Sequence, residues 1–473
     1  MFNTRILSRL NVSFTPYSQL LCGKVCMQST CRGAQISILN RIPKTQSKIP
    51  EMTHQPIVKR VCFVGFLVSC FATIGSEVES LSLAQAEEIA LTEEPQVVSF
   101  NIQANAFDEI AESSMSLPDV QIRSGLLNFP LQHGGFQTEG MTQLSFGVRQ
   151  NIPPKGQRTA LFQKNEHLAE EKRELARDRR QDVLLDVRHA WLEAYYQDRA
   201  VMLIVDSRGL FVDLVEIATS LYSVGKRNQN DVFQAELELL RLDDHLTHTK
   251  QLQREAYLRL GQLLGQEVTI PVADDLPDWN SVPELNHLKE SLRTHPKLAA
   301  IDAKKSADGA QRRYEASNLN PKWAIDLGYS FRDGKLPSGE SRSDFISASV
   351  SVNLPLWSRE SLRRKMSAAS LRADSKAQSS ISVLRDLHYE LTTAHTRWNT
   401  LSDRVKMYDD QLIQQSSDNA QATLGLYRNE GVGLSEVARS YIDQINTQLA
   451  YQRLIVDRLK VYAKIDSLVD GPP

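Results

Sequence analysis

Cysteine is missing from most of this sequence. All five cysteines lie between residues 22 and 70, and residues 71–473 contain none. A body of about 400 residues without thiols excludes disulfide cross-links, a cysteine nucleophile and a cysteine-ligated metal site. This part of the chain must therefore fold through side-chain packing alone.

Long apolar runs and a large net charge are missing as well. No apolar run reaches the length of about 18 residues that an ordinary membrane-spanning helix requires. The 55 basic and 57 acidic residues leave a formal net charge of −2, which is too small for a protein dedicated to nucleic-acid binding. Nine basic residues and one acidic residue lie in 1–70, so the rest of the chain carries a net charge of −10.

Proline is absent from two long segments, 155–270 and 356–471, which are rich in strong helix formers. In the first segment the expected break is Val224-Gly225, which predicts a helix of about 70 residues and a return helix of about 40. At about 1.5 Å per residue the longer helix reaches roughly 100 Å, which indicates a rod, a coiled coil or a helical tube. Three leucines keep the seven-residue step of coiled coils: Leu161, Leu168 and Leu175.

The start of the chain carries the pattern of a secretory signal. Lys59-Arg60 precedes a short apolar run, and a basic segment followed by a short apolar segment is typical of a cleaved signal peptide. We predict this signal over residues 52–76. Residues 1–51 are then an over-called translation start, and an organelle transit leader is the alternative because the segment is Arg-rich and poor in acids.

Residues 67–70 (Leu-Val-Ser-Cys) resemble a bacterial lipobox, in which the cysteine is acylated and becomes the mature N-terminus. This resemblance predicts Cys70 as a lipidation site. Cleavage a few residues later, after Ala72 or Ser76, would instead remove Cys70. Both alternatives stay open at this point.

The remaining chain contains one pattern twice, and a displacement of 201 to 205 residues relates the two copies. The matched segments are Ala84–Pro95 with Leu288–Pro296, Gly147–Pro153 with Ser349–Pro355, Leu221–Gly225 with Leu426–Gly431, and Asp231-Val232 with Glu436-Val437. This duplication predicts two repeats, residues 81–267 and 284–470, joined by a linker at 268–283.

Before each proline-free segment, apolar residues alternate with small or polar ones. The apolar positions are Val120, Ile122, Leu144, Phe146 and Val148 in the first repeat, and Trp323, Ile325, Leu327, Tyr329, Phe331, Ile346, Ala348, Val350, Val352 and Leu354 in the second. An ordinary half-buried hairpin also alternates. Here the strands of the second repeat are about 9–10 residues long and their other face is nearly uncharged, which is typical of membrane-spanning β-strands.

Four strands cannot close a barrel, and lipid does not tolerate open sheet edges. If these strands span a membrane, several chains must contribute strands to one barrel. The sequence therefore predicts that the channel is an oligomer. We expect the apolar positions to face lipid, and Asp326, Ser347, Ser349 and Ser351 to face the lumen.

The order helix, strand, strand, long helix, return helix resembles the TolC family of outer-membrane efflux ducts over about residues 81–470. The resemblance implies a mainly α fold with a small membrane β-barrel: long antiparallel helical hairpins and four strands per chain, with a homotrimer forming a twelve-stranded barrel and a periplasmic α-barrel. Three short motifs look more like the heavy-metal efflux branch than the drug-efflux branch: Leu117-Pro118-Asp119, Asn128-Phe129-Pro130 and Met141-Thr142-Gln143.

In this family a Tyr-x-x-Gly turn forms the periplasmic tip that meets the adaptor protein. The resemblance assigns this role to Tyr222, Gly225, Lys226 and Arg227 in the first tip, and to Tyr427, Gly431, Val432, Gly433 and Leu434 in the second. Glycine permits the tight reversal between the helices. The second tip departs from the pattern, because Glu430 stands where Gly is usual and Gly431 follows one place later.

The resemblance also implies a gate at the tips, formed by Asp231 and Glu436, each nine residues after its tip tyrosine. Three-fold assembly would make each a ring of carboxylates, and acids at a constriction favour cations. Arg439 stands where a second gate acid is often found. We expect Lys226, Arg227 and Arg439 to pair with the carboxylates and hold the closed state; solvated helix ends are the alternative.

No phosphate-binding glycine loop, nucleophile elbow or zinc signature occurs. We therefore predict no catalytic residue, no metal site and no cofactor, and the sequence does not indicate an enzyme. His245 and His248 share one helix face and are most simply exposed to solvent.

The predicted function is a passive exit duct in the outer membrane of a Gram-negative bacterium, exporting metal cations or small toxic compounds. The expected partners are a periplasmic adaptor (membrane fusion) protein, an inner-membrane pump of the RND type and outer-membrane lipid, with no nucleic acid. The alternative is a periplasmic coiled-coil structural or adaptor protein without a channel. Two hairpins with alternating strands favour the duct.

Overall fold

The computed structural model describes residues 80–469. The predicted leader at 1–51, the predicted signal at 52–76 and the predicted lipidation site Cys70 lie outside the described residues. Within the described part, the chain runs through helices and two pairs of strands, and each pair of strands is followed by a long helix.

The first half contains two short helices, two strands and two long helices. They are α1 (Leu83–Glu93), α2 (Pro95–Ser113), β1 (Gln121–Leu127), β2 (Gln143–Ile152), α3 (Gln157–Ser223) and α4 (Gln229–Leu264). The second half has the same order, with short turns of other helix types added. Its elements are α5 (Leu285–Ser291), a 3-10 turn (Leu292–Thr294), α6 (Pro296–Ser317), β3 (Lys322–Phe331), β4 (Phe345–Asn353), α7 (Arg359–Met407), a π turn (Tyr408–Leu412), α8 (Ile413–Arg428) and α9 (Leu434–Val469).

The short helices begin at local sequence signals. The Ser82 hydroxyl accepts from the Gln85 amide at 3.2 Å, and the Gln85 side chain accepts from the Ser82 amide at 2.9 Å, which together form a capping box. Pro95 and Pro296 occupy the first turns of α2 and α6. Proline fits there because its fixed φ is helical and its missing N–H would have had no partner.

The helix α3 runs for 67 residues without a break and is therefore roughly 100 Å long. It packs against α2, α4, α6 and α9. A buried series with a seven-residue step runs along it: Ala169, Ala176, Val183, Ala190, Gln197, Ile204, Phe211 and Ala218. Leu161, Leu168 and Leu175 are only half-buried, so the predicted step is present but lies one residue further along the chain.

The second long helix differs from α3 at the π turn. The two long helices begin at Gln157 and Arg359 and end at Ser223 and Arg428, so the displacement between the halves grows from 202 to 205 residues along them. A π turn accommodates an extra residue within a helix. The turn at Tyr408–Leu412 therefore takes up part of the length by which the second helix exceeds the first.

The four strands form one antiparallel sheet in the order β1-β2-β3-β4. The register places Asp326 opposite Ser349 and Arg149, and Leu327 opposite Ala348 and Val148. Because side chains alternate between the faces of a strand, this register aligns the apolar positions of all four strands on one face. The predicted alternation of apolar and polar positions is confirmed in β2, β3 and β4.

Three clusters of buried side chains follow the length of the helices. One surrounds Trp191, whose indole N–H donates to the Leu81 carbonyl at 2.9 Å. A second joins α7, α9 and the start of the second half around Trp398. The third lies at the α3–α4 and α8–α9 turns and contains Phe211, Tyr427 and Tyr441. Among the described residues, no helix has both the length and the hydropathy needed to cross a membrane.

Candidate functional site: the two hairpin tips

The first tip is the reversal between α3 and α4, and it depends on Gly225. This glycine has a φ of +76°, a left-handed conformation that costs glycine little. Its amide donates to the Tyr222 carbonyl at 2.9 Å, and the Lys226 amide donates to the Leu221 carbonyl at 3.0 Å. These bonds satisfy carbonyls that the end of α3 leaves without helical partners.

The second tip forms the same turn with a different residue in the left-handed position. Glu430 has a φ of +62°, whereas Gly431 is not among the residues with positive φ. The Glu430 amide donates to the Tyr427 carbonyl at 3.1 Å and the Gly431 amide to the Leu426 carbonyl at 2.8 Å. Glu430 therefore makes the reversal, at the position where the family pattern has Gly and where the sequence already departs from it.

Gly431 has a separate steric role in this turn. A Cβ atom at this position would lie 3.3 Å from the Leu426 carbonyl oxygen, which is closer than ordinary van der Waals contact. A side chain at this position would therefore require the Leu426 carbonyl to shift by a few tenths of an ångström.

The two tips meet through a group of four residues, which we call the tip cluster: Arg227, Asp231, Tyr427 and Val432. Tyr427 is completely buried, and its hydroxyl donates to Asp231 Oδ2 at 3.2 Å. The guanidinium of Arg227 stacks over the Tyr427 ring at 4.5 Å. Its Nη2 atom donates to the carbonyls of Tyr427 and Val432 at 3.0 and 2.7 Å, so one arginine binds both segments of the second tip.

Burial, together with the nearby Asp231 carboxylate, raises the pKa of Tyr427 to about 12. The cause is that the ionised phenolate would lose hydration and would be repelled by the carboxylate. The hydroxyl therefore stays protonated, and able to donate, throughout the neutral range. Its stabilising contribution is complete below the ordinary tyrosine pKa of about 10 and is lost as the pH rises through about 12.

The expected ion pairs between cations and gate acids are not found among the described residues. Neither Asp231 nor Glu436 forms a salt bridge in that part of the chain; Arg227 binds backbone carbonyls instead, and Asp231 accepts from a tyrosine. This arrangement is not visible in the sequence, because every residue has a backbone carbonyl and no residue type marks the two that Arg227 binds. Asp231 also lies in the first turn of α4, where a negative charge is favoured by the helix dipole.

The other predicted tip residues divide into a packed set and an exposed set. Leu434 is buried and Val432 packs against the same cluster as Tyr427. The exposed set contains Tyr222, Lys226, Gly431, Gly433 and Glu436. The structure brings Arg227, Asp231 and Tyr427 together. Among the described residues, the side chains of Tyr222 and Glu436 form no hydrogen bond or ion pair with any of these three.

A charged cluster lies on the polar face of the sheet. Asp326 lies 3.5 Å from Arg123 and 3.8 Å from Arg149, and it accepts from the Ser351 hydroxyl at 3.3 Å. The alternation pattern predicted Asp326 on the polar face. Arg123 was not predicted there, although it follows the apolar Ile122 in β1 and therefore lies on the opposite face. The cluster contains two positive charges and one negative charge.

No group of three or more metal-ligating side chains occurs in residues 80–469. His245 and His248 both lie on α4 and are exposed.

This chain is similar to solved structures of other proteins. No family model matches the chain, and no curated protein matches its sequence. The solved outer-membrane channel OprN is 16% identical, with a TM-score of 0.69, over 82% of this chain and 90% of its own. CusC, described as forming a transmembrane channel, is 12% identical with a TM-score of 0.71, over 82% and 92%.

A third solved structure, the outer membrane protein VceC of Vibrio cholerae, is 14% identical with a TM-score of 0.68 and covers 82% of this chain and 96% of its own. The chain has the fold of an outer-membrane channel. The TolC-like fold predicted from the sequence is thereby confirmed for the single chain. At these identities the likeness concerns the fold, so the roles of individual tip residues stay predictions.

The left-handed conformation of Glu430 in the second tip can be tested by substitution. We expect Glu430→Gly to stabilise the second tip by about 1 kcal/mol, because a non-glycine residue in this conformation carries a cost of that order. Gly225→Ala should destabilise the first tip by a similar amount. Amide hydrogen exchange of residues 426–432 and 221–227 measures both effects. Unchanged exchange at residues 426–432 in Glu430→Gly would contradict the strain assigned to Glu430.

Proposed function

We propose that this protein is a passive exit duct in the outer membrane of a Gram-negative bacterium. The observation that carries the proposal is the combination of a sheet with one exposed apolar face and helices roughly 100 Å long, in the fold of solved outer-membrane channels. In a periplasmic coiled-coil protein without a channel, the apolar face of this sheet would be exposed to water.

The apolar face of the sheet supports contact with lipid. Its exposed side chains are Ile122, Leu126, Phe146, Val148, Ile152, Trp323, Ile325, Leu327, Tyr329, Ile346, Val350 and Val352. In water so large a continuous apolar surface favours aggregation. Trp323 lies at the helix-proximal end of β3, and Tyr329 lies near its other end. Aromatic residues near both ends match the girdles of membrane strands.

The unpaired edges of the sheet support a homotrimer. Within one chain β1 and β4 each pair on one side only, and backbone groups without partners are costly in lipid. Pairing of β4 with β1 of the next chain would remove every edge, and three chains would give a twelve-stranded barrel. In that barrel Asp326, Arg123 and Arg149 would line the lumen.

Exposed apolar residues on two helices support the same assembly below the membrane. Ile102 and Ile110 are exposed on α2, and Leu371 and Tyr389 are exposed on α7. Inside the chain, α3 packs against both α2 and α6, and α6 packs against α7, so α2 and α7 are the outer members of this row. A neighbouring chain would cover both.

The hairpin tips are the proposed gate and the proposed contact with a periplasmic adaptor (membrane fusion) protein. The tip cluster joins the two hairpins of one chain, as a closed aperture requires. An inner-membrane pump, which we propose to be of the RND type, would supply the energy. The exported compounds would be metal cations or small toxic compounds, an assignment supported by the motifs around Leu117, Asn128 and Met141.

The lipid-facing assignment predicts opposite outcomes for two adjacent residues of β4. Val350→Arg places a charge on the apolar face and should cost roughly 2–4 kcal/mol per chain near the bilayer midplane. Ser349→Arg places the same charge on the polar face, opposite Asp326, and should be tolerated. Recovery of heat-modifiable trimer from the outer membrane measures both. Equal recovery of the two variants would contradict membrane insertion of this sheet.

The gate assignment predicts that Arg227→Ala raises single-channel conductance in planar lipid bilayers. Each chain would lose two hydrogen bonds, of about 0.5–1.5 kcal/mol each, and a cation–π contact of about 0.5–1 kcal/mol. Arg254→Ala, which removes an exposed arginine further along α4, is the matched control and should leave conductance unchanged. If the two variants conduct equally, the constriction lies elsewhere.

The proposed ring of three Glu436 carboxylates predicts that this residue affects ion selectivity. Glu436 is exposed in the first turn of α9, so three copies would place three carboxylates around the aperture. Glu436→Gln should lower the cation-to-anion permeability ratio while keeping the size of the side chain. Glu290→Gln, which changes an exposed acid on α5, is the control. A permeability ratio that Glu436→Gln leaves unchanged would exclude this ring from the pore.

A further inference from the structure

The polar face of the sheet carries more positive than negative charge. Asp326 Oδ1 lies 3.5 Å from Arg123 Nη1 and 3.8 Å from Arg149 Nε, so one carboxylate faces two guanidinium groups. The Nε atom of Arg149 is buried and has no hydrogen-bond partner among residues 80–469. One of the two positive charges therefore stays without compensation in each chain.

The Arg123 side chain reaches this acid across a neighbouring strand. Arg123 lies on β1 and Asp326 on β3, with β2 between them, so the two backbones are about 10 Å apart. The β2 residue opposite Arg123 is Gly147, which has no side chain to block this path. The guanidinium of Arg123 therefore lies over the polar face rather than beyond the edge of the sheet.

Small residues beside Arg123 leave an open recess on the same face. Gly125, Gly147 and Gly328 lie there on β1, β2 and β3, and the recess has a volume of about 310 Å³. Its lining includes Arg123, Gln143, Ser145, Asp326, Ser347 and Ser349. A guanidinium presents a planar fork of N–H donors that matches the oxygens of carboxylates and phosphates. The recess therefore has the space and the donors for a small anion.

Closure of the proposed barrel would not supply the missing negative charge. The strand that would pair with β1 is β4 of the next chain, whose polar face carries the uncharged Ser347, Ser349, Ser351 and Asn353. Lys322, on the same face of β3, adds a further positive charge. Three copies of two arginines and one aspartate would therefore form a ring around the lumen, which we call the basic belt.

We propose that the basic belt makes the barrel selective for small anionic compounds, such as carboxylates and phosphates, and that Arg123 is the residue that binds them. The proposal rests on the proposed trimeric duct and narrows its cargo to anions. Fixed positive charges that line a pore favour anions, and walls of low dielectric constant focus their field into the lumen. Free metal cations are disfavoured at this level of the barrel.

The basic belt and the Glu436 carboxylates would act at opposite ends of the duct. The belt lies in the sheet, whereas Glu436 lies in the first turn of α9 at the second tip, roughly 100 Å away. At about 0.1 M salt the electrostatic screening length is about 10 Å. Neither ring therefore changes the field at the other, and each is measured by its own variants.

A series of variants changes the charge of the belt in single steps. Arg123→Gln removes one positive charge per chain and should raise the cation-to-anion permeability ratio in planar lipid bilayers. Asp326→Asn removes the negative charge and should lower this ratio. We expect each step to change the ratio about two-fold at 0.1 M salt and less at 1 M, where the screening length is about 3 Å. Arg123→Lys keeps the charge and should keep the wild-type ratio.

Block of the channel current by citrate measures anion binding itself. Citrate carries several carboxylates and is added on the side of the bilayer that the barrel faces. It should block the wild type, block Arg123→Gln more weakly and block Asp326→Asn more strongly. Arg254→Gln, which changes an exposed arginine on α4, is the matched control and should leave both the block and the permeability ratio unchanged.

Recovery of heat-modifiable trimer shows which variants assemble, and a single assembled belt variant is enough to decide the direction of the effect. Channels whose permeability ratio does not follow the charge of the belt overturn its role in selectivity and leave the proposed duct standing. Citrate block that is equal in Arg123→Gln and the wild type overturns anion binding by Arg123. A wild-type chain that forms no channel overturns the duct and the belt together.

Discussion

The unpaired backbone at the two edges of the sheet is the constraint on which the rest of the structure depends. Four strands expose an apolar face and leave β1 and β4 each with one free edge. In lipid every N–H and C=O group needs a partner, so such a sheet is stable only when other copies of the chain complete it. In the proposed trimer this assembly would also place identical helices side by side below the membrane.

The long helices connect the sheet to the hairpin tips. The buried series along α3 contains small residues such as Ala169, Ala176 and Ala190, which allow neighbouring helix backbones to approach closely. Because α3 contains no proline and no break over 67 residues, its two ends are connected by one rigid element. The position of the sheet therefore constrains the position of the tips, roughly 100 Å away.

Most of the fold was predictable because its signals are local and periodic. Alternation identified β3 and β4 with their faces, and the absence of proline identified the long helices. The tip cluster was not predictable in the same way, because Arg227 binds two backbone carbonyls about 200 residues away in sequence. Every residue has such a carbonyl, so no sequence pattern marks the two that accept. The left-handed Glu430 and the π turn at Tyr408–Leu412 also override the usual sequence signals of turns and helices.

The two hairpin tips differ at the positions of Gly225 and Arg227. Gly225 has become Glu430, and Arg227 has become Val432, while the tyrosine and the acid of each tip remain. Arg227 supplies two N–H···O bonds and the cation–π contact of the tip cluster, whereas Val432 has no side-chain donor. Equivalent positions of a duplicated chain can therefore take different roles: Arg227 donates to the backbone of the second tip, and the carbonyl of Val432 is one of its two acceptors.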